Sequence, residues 1–420
     1  VSRSDEKLIC FKPKNALLTP PYWERTTGHR VDMDEVALSL AKSPPLLLNP
    51  SPVVAAPSPA IRATKKTRNE QFLENIAAFA QFVHDVAAPA PPRAGARSSP
   101  PKKPKLVPPF DLQDVPGAMD NMGMSISAAL LRKWFRLALT YPTSKSGKTS
   151  GIDQNGNPYS AANIDTTTLK LDWILGFPRA REKFEKLQTH EYLTTPESIT
   201  QIKRIINKFP RGTRSVMPHR EVGNDRRKLH DMFQFQIITV DTTWTEKAKQ
   251  YLDSDARGGV PDDLAGALGG FAFYARIGAA EIEHFHGGRR VATITHAFFY
   301  MKNPYSFFDD GNDGSSQYLG HWNKKGVLLA PASFIASKIG MGDLEAHIKT
   351  RSNSTPAGIE GWAEFPVLVG EDVNIRDAVY YSVRNKDFRA WQILHKQGGD
   401  MLLFSDEKPV RLSPPIVVEL

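Results

Sequence analysis

Proline placement constrains this chain more than any other feature: 17 of its 32 prolines fall within the first 110 of 420 residues. Proline has no N–H to donate, and its ring clashes with the preceding helical turn. Neither a helix interior nor a central strand can therefore run through Pro44-Pro45, Pro50 to Pro59 or Pro89 to Pro109. Residues 1–110 are expected to form a disordered, extended arm. Charge divides the same way. The arm holds 16 Lys and Arg against 9 Asp and Glu, so it carries +7 of the net +9 and leaves the remainder nearly neutral. The overall basicity is thus no argument that the body binds nucleic acid.

One island interrupts the arm. Within 69–86, Phe72, Ile76, Phe79 and Val83 recur at helical spacing and share one face. This is either a transient helix or a recognition helix that docks into a partner's groove. The lysines between Pro100 and Lys105 read as a charged linker in preference to a nuclear-localisation run. Cys10 is the only cysteine, so no internal disulfide forms, which fits a reducing cytoplasm. No apolar run reaches the roughly 18 residues of a membrane helix. No basic-then-apolar segment follows Val1, so the expected location is the cytoplasm, or an exterior reached without a signal peptide.

From Asp111 the pattern becomes that of a folded body. Ser125 is expected to cap a helix with Ile126, Ala129, Leu130, Trp134 and Leu137 on its apolar face. A polar loop over 142–162 follows. Its Ser146-Gly147-Lys148-Thr149 lacks the earlier glycine that a phosphate loop requires. A helix over 169–187 is expected to bend or break at Pro178. Thr195-Pro196 opens another through Ile199, Ile202, Ile206 and Phe209. Residues 111–210 therefore read as a helical subdomain. After a basic loop over 211–227, Phe233, Phe235 and Ile237 alternate with glutamines as a half-buried strand. A short helix is expected over 245–253. Strands over 271–286 and 289–301 meet at Gly287-Gly288, a two-residue turn that pairs His286 with Arg289 and His284 with Val291. Further strands are expected over 365–369, 378–383, 401–404 and 416–419, with a helix over 387–396. The fold class is α+β: helices first, then a mostly antiparallel, β-rich subdomain over 211–420 packed with them.

Few groupings suggest chemistry. His284 and His286 share a strand face and would ligate zinc if a third ligand joined them; an exposed hairpin tip explains them equally well. The run Asp309-Asp310-Gly311-Asn312-Asp313-Gly314 lacks the third and twelfth ligands of a calcium loop and reads as a turn. His219 and His230 flank Arg220, Arg226 and Arg227, a cluster suited to a phosphate, although Glu221 and Asp225 offset it. Asn385 is placed to cap the helix carrying Arg389, and Arg389 to reach Asp400 or Asp406. That contact is either a structural ion pair or part of an active site. No nucleophile elbow or Cys-His pair is present, and no cofactor is expected.

Several blocks resemble one family. They are Asp114-Val115-Pro116 with Ala118-Met119, Ala128-Ala129 and Trp134-Phe135; Leu171 to Phe177 with Arg179-Ala180; Tyr300, Tyr305 to Asp310 and Gln317 to Trp322; and Asn385, Phe388-Arg389, Trp391, Gly398-Gly399-Asp400 and Phe404-Ser405-Asp406. Over 111–420 the chain resembles a proteobacterial domain family of unknown function found beside type VI secretion genes in Burkholderia-like bacteria. The resemblance carries no reaction. It implies a part in contact-dependent antagonism, as an effector or toxin-like protein or as its accessory, with a secretion component or a cognate effector or immunity protein as partner. An enzymatic member would place its site around His321, Arg389, Asp400 and Asp406. Ser306 stands where the resemblance leads us to expect Asp. The alternatives are a non-catalytic adaptor, chaperone or immunity-type protein docking through Phe72, Ile76, Phe79 and Val83, and a nucleic-acid-binding protein or nuclease.

Overall fold

Two long alternating runs build the centre of the molecule. In a computed structural model, β6 (Phe271–His284) and β7 (Arg290–Tyr305) pair antiparallel from Ala272↔Lys302 to His284↔Arg290. The residues described are 10–16, 19–26, 38–48, 110–242, 261–309, 316–328, 367–368 and 379–420, with backbone alone for 10–26, 328 and 367–368. The expected helices over 69–86 and 245–253, and the Asp310 to Gly314 turn, lie outside them.

Around the hairpin a larger sheet assembles. β5 (Gln234–Val240) and β4 (Ser215–Val216) pair with β6, while β12 (Met401–Phe404) and β13 (Lys408–Glu419) pair with β7, all antiparallel. β3 (Ile164–Asp165) joins β12 in parallel, so the helical half of the body lends a strand to the β-rich half. A second sheet runs β2 (Thr19–Thr26), β1 (Cys10–Ala16), β10 (Val367–Leu368), β11 (Val379–Arg384), β8 (Tyr318–Asn323), β9 (Gly326–Leu328).

Alternation gives the large sheet two unlike faces. Phe273, Ala275, Ile277, Phe299 and Met301 face the principal core. There Phe184 of α5 (Pro178–Leu187) meets Phe273 and Phe299 edge-on, at ring centroids of 5.0 and 6.1 Å. The opposite face carries Tyr274, Arg276, Phe298, Tyr300 and Lys302, and β12 adds Leu402 and Phe404. The core also takes α1 (Val115–Asn121), α2 (Ser125–Phe135), α4 (Leu171–Leu175) and α7 (Pro196–Ile206). Burying each large aliphatic or aromatic side chain contributes about 1.5–3 kcal/mol. Two short helices, α3 (Lys145–Ser150) and α6 (His190–Leu193), and three later ones, α8 (Pro218–Val222), α9 (Arg226–Phe233) and α10 (Asp263–Leu268), pack around the sheet.

The α+β order, helices first and strands later, agrees with the sequence. Pro178 does break its helix, and it begins α5 as the first helical residue. Thr195 caps α7, accepting from the Ser198 N–H, with Pro196 at the first turn. Other details depart from expectation. Ser125 is the first residue of α2 and not its cap; the Asp263 carboxylate accepts from the Ile126 and Ser127 N–H groups instead. A cap supplied from 136 residues away is invisible to local pattern. Ala129 is exposed, and Ala128 and Leu131 are buried in its place. β5 starts at Gln234, and an irregularity between Gln234 and Gln236 inverts the alternation, so Gln236 turns inward and Ile237 outward. Gln236 is tolerated there because its amide donates to the Tyr192 carbonyl and to Thr195 Oγ1. The β6–β7 turn is wider than two residues. Gly287 and Gly288 both take positive φ, Phe285 N–H bonds the Arg289 carbonyl, and His284 pairs with Arg290, not Val291. The expected polar loop over 142–162 contains α3, and the expected basic loop over 211–227 contains β4, α8 and the start of α9.

Within the first 110 residues, two stretches are ordered in ways that proline content did not announce. β1 and β2 form an antiparallel pair, and β1 runs parallel to β10. Residues 38–48 lie against the body. Ser39 bridges to Asp111 by both main chain and side chain, and Gln397 Nε2 donates to the Pro45 carbonyl.

Candidate functional site

Charges buried on the second face of the large sheet form two centres. The first surrounds Asp400, which sits immediately before β12 and is fully buried. Its Oδ1 accepts from Trp134 Nε1 (2.9 Å) and Gln392 Nε2 (3.3 Å). Its Oδ2 accepts from Ser306 Oγ (2.5 Å) and faces Arg389 Nη2 at 3.5 Å. The main chain is tied as well: Asp400 N–H bonds the Thr140 carbonyl, and the Asp400 carbonyl accepts from Asn163 Nδ2.

Each donor is placed by its own element. Trp134 lies in the last turn of α2 and stands among Phe135, Phe307, Phe388 and Trp391. Ser306 follows β7. Arg389 and Gln392 come one turn apart on α11 (Asn385–His395), and Arg389 Nη1 donates to Gln392 Oε1 at 2.5 Å. Arg389 also lies over the Tyr141 ring, 4.3 Å from its centroid. Gly398 and Gly399 allow this closeness, since a Cβ on Gly399 would sit 2.6 Å from Leu137 Cβ. Tyr159 and Tyr305 stand nearby. Burial, reinforced by the Asp400 charge, raises both phenols well above the usual tyrosine range and keeps their protons on.

Of the sequence candidates, Arg389 and Asp400 meet and the other two lie elsewhere. Asp406 lies beyond the far end of β12, where its Oδ1 accepts from the Leu171 N–H at the start of α4. His321 belongs to β8 in the other sheet, fully buried, with Nδ1 2.5 Å from Tyr318 Oη. Asn385 is the first residue of α11 and not its cap; the Asp387 carboxylate accepts from the Arg384 N–H, and Asn385 Nδ2 donates to Asp309. Ser306, where the resemblance suggests Asp, donates to Asp400. An aspartate there would set two carboxylates against each other.

The second centre is built on Arg276, a charge with no exposed surface in the middle of β6. Glu407 chelates it, with Nε to Oε1 at 2.8 Å and Nη2 to Oε2 at 2.6 Å. Arg226 of α9 reaches the same carboxylate at 2.5 Å and donates to the Ser405 carbonyl. Phe298 lies flat beneath Arg276, 4.1 Å from the guanidinium carbon. His219 Nε2 accepts from Arg276, and its Nδ1 then donates to Asn224 Oδ1. Two of the three arginines of the basic cluster read from the sequence are therefore engaged by protein oxygens, since Arg227 also donates, to the Ser150 carbonyl, while Arg220 is exposed.

Next to it, His230 Nδ1 lies 2.9 Å from the buried Tyr300 hydroxyl, with Tyr274 and Phe404 stacked on either side of Tyr300. Burial, helped by Lys302, lowers His230 to about 3. Burial also depresses Lys302, whose Nζ donates to the Thr149 carbonyl. In the unfolded chain His230 protonates near its ordinary value of about 6.5. Between about 6.5 and about 3 the unfolded chain therefore holds one more proton, and acid favours unfolding. His230 should contribute a slope approaching ~1.4 kcal/mol per pH unit in that window. Thermal midpoints across pH 4–7 for wild type and His230→Gln test this; parallel curves would refute it.

His284 and His286 do not share a strand face, since His286 lies in the turn; His284 Nε2 contacts the Thr213 carbonyl. Among the described residues no group of three His, Cys, Asp or Glu is placed to hold a metal. No helix among them is long and apolar enough to cross a membrane.

Sequence reasoning missed Trp134, Gln392, Tyr159 and Glu407 as partners. A signal did exist for Arg276: a charge inside the apolar run Phe271 to Ile277 marks a buried ion that needs a counter-charge.

A family model described as a family of unknown function matches residues 110–420. No curated protein and no solved structure matches the chain.

Proposed function

The chain belongs to this family, DUF6402, and from that premise we propose that it is a non-catalytic binding protein of the adaptor, chaperone or immunity type. One observation carries the reading. The buried Asp400 carboxylate accepts from Trp134, Gln392 and Ser306 and is ion-paired with Arg389, which suits a structural pin more than a general base that must take a substrate's proton. The setting we favour is contact-dependent antagonism, suggested by the family resemblance, with Phe72, Ile76, Phe79 and Val83 as the docking face toward a secretion component. The nuclease alternative loses support because Arg226 and Arg227 already bond protein oxygens.

The competing reading is a toxin-like effector working at Arg389 and Asp400. Expressing the full chain in a sensitive bacterial host separates the two. The binding reading expects normal growth, together with capture of a purified secretion component that is lost when Phe72, Ile76, Phe79 and Val83 become serine. Growth arrest by the full chain, relieved by a folded Arg389→Gln variant, would replace it with the effector reading.

A further inference from the structure

Leu46, Leu47 and Leu48 are three consecutive apolar side chains left on the surface, and Leu46 is 88% exposed. Single exposed apolar residues are ordinary, but a fixed run of them is not. This run is fixed through its main chain. Gln397 Nε2 donates to the Pro45 carbonyl, Arg136 Nε donates to the Leu46 carbonyl, and the Leu48 N–H bonds the Arg136 carbonyl. Gln397 Nε2 also donates to the Phe135 carbonyl, so the leucines stand where residues 38–48 cross the ends of α2 and α11. Leu394, 45% exposed, borders the same segment, since the His395 ring beside it bonds the Leu40 carbonyl.

The course of the chain shows what lies within reach of this patch. The described residues break off at Leu48 and resume at Phe110, whose carbonyl accepts from the Ser39 N–H. Both ends of the intervening 61 residues are therefore anchored on or against segment 38–48. The apolar stripe of Phe72, Ile76, Phe79 and Val83 belongs to that stretch, 23 residues beyond Leu48 at one end and 26 short of Phe110 at the other. At about 3.3 Å of reach per residue, either connection returns to the leucines with length to spare. Tethering of this kind gives an effective concentration on the order of millimolar, which a partner in solution seldom matches.

Charge points to the same occupant. Residues 69–86 hold three carboxylates, Glu70, Glu74 and Asp85, and no Lys or Arg, in an arm that is otherwise basic. Beside the leucines the charges have the opposite sign. Arg136 and Lys396 are exposed, and neither makes an ion pair among the described residues. An acidic segment with an apolar stripe therefore meets an apolar patch with a basic border, and complementary charge fixes which segment docks and in what register.

We propose that Leu46, Leu47, Leu48 and Leu394 form a docking surface for the chain's own segment 69–86, which lays Phe72, Ile76, Phe79 and Val83 on them. A partner that takes the same stripe then has to displace it from this surface. The proposal does not rest on such a partner: the growth and capture assays read what the stripe binds outside the chain, and the experiment below reads what it touches within it.

The test uses the full chain. In a Cys10→Ser background, Leu47→Cys combined with Phe79→Cys should form a disulfide within one monomer under mild oxidation. Ile237→Cys, at an exposed position on β5, combined with Phe79→Cys should not. In the chain without introduced cysteines, amide hydrogen exchange over 69–86 should be about tenfold slower than in the variant carrying Leu46→Ser, Leu47→Ser and Leu48→Ser, the ratio for a millimolar effective concentration acting on a site of roughly 0.1 mM affinity. These three leucines lie outside the core, so that variant keeps the fold. Lys396→Glu should speed exchange over 69–86 as well. Disulfides between two chains would assign the surface to a second copy, and equal crosslinking at Leu47→Cys and Ile237→Cys would mean contact without a site. Either result, or exchange that the leucine variant leaves unchanged, overturns the proposal.

Discussion

Glu407→Gln is expected to destabilise the body by about 4–5 kcal/mol, near the top of the range for breaking a buried ion pair. The substitution keeps the shape of the side chain and removes the charge that two guanidiniums share. Arg276 has no exposed surface through which water could compensate, and Arg226 stands beside it with the same sign. Phe298 beneath Arg276 offers a cation–π contact of only about 0.5–2 kcal/mol in return. Urea unfolding of the variant reads the loss directly. Adding Arg276→Met should return much of it, because an apolar side chain of similar length does not require the carboxylate. A loss below about 1 kcal/mol for Glu407→Gln would mean that the centre is hydrated and contributes little.

Asp400→Asn should cost about 3 kcal/mol, the lower end of the same range, since Arg389 keeps some contact with solvent. Asparagine still offers one oxygen to Trp134 and Gln392, but it turns an NH2 toward Arg389. Pairing it with Arg389→Gln should recover part of the loss, and the double-mutant cycle gives the coupling between the two side chains. An additive cycle would show that the 3.5 Å approach of Arg389 carries no coupling energy. The consequence for function is concrete. Loss of any activity in an Asp400 variant has to be separated from loss of the fold, so Arg389 and Tyr159 are the better probes.

The sequence made the α+β layout legible where the signals were local. Pro178 and Pro196 mark helix starts, and the apolar alternation of 271–301 marks the long hairpin. What it concealed is non-local. The α2 cap comes from Asp263, and the inversion of β5 depends on Gln236 finding acceptors at Tyr192 and Thr195. The candidate site shows the same division. Arg389 and Asp400 were close enough in sequence to be paired by reasoning about one helix and the strand after it. Trp134, Ser306 and Tyr159 complete the centre from elements far along the chain, where spacing says nothing. His321 and Asp406 were grouped with it by proximity in motif, but the fold sends one to another sheet and the other to the start of α4.

β3 borrows residues 164–165 for a sheet whose neighbouring strand begins at Met401, and Trp134 is bonded to a carboxylate 266 positions later. Cutting the gene near codon 210 would therefore not yield two tractable pieces. The upstream product would carry an indole and a strand with nothing to join, and the downstream one a bared sheet edge prone to self-association. Such long-range closure also favours slow acquisition of structure over stepwise growth from the N-terminal side.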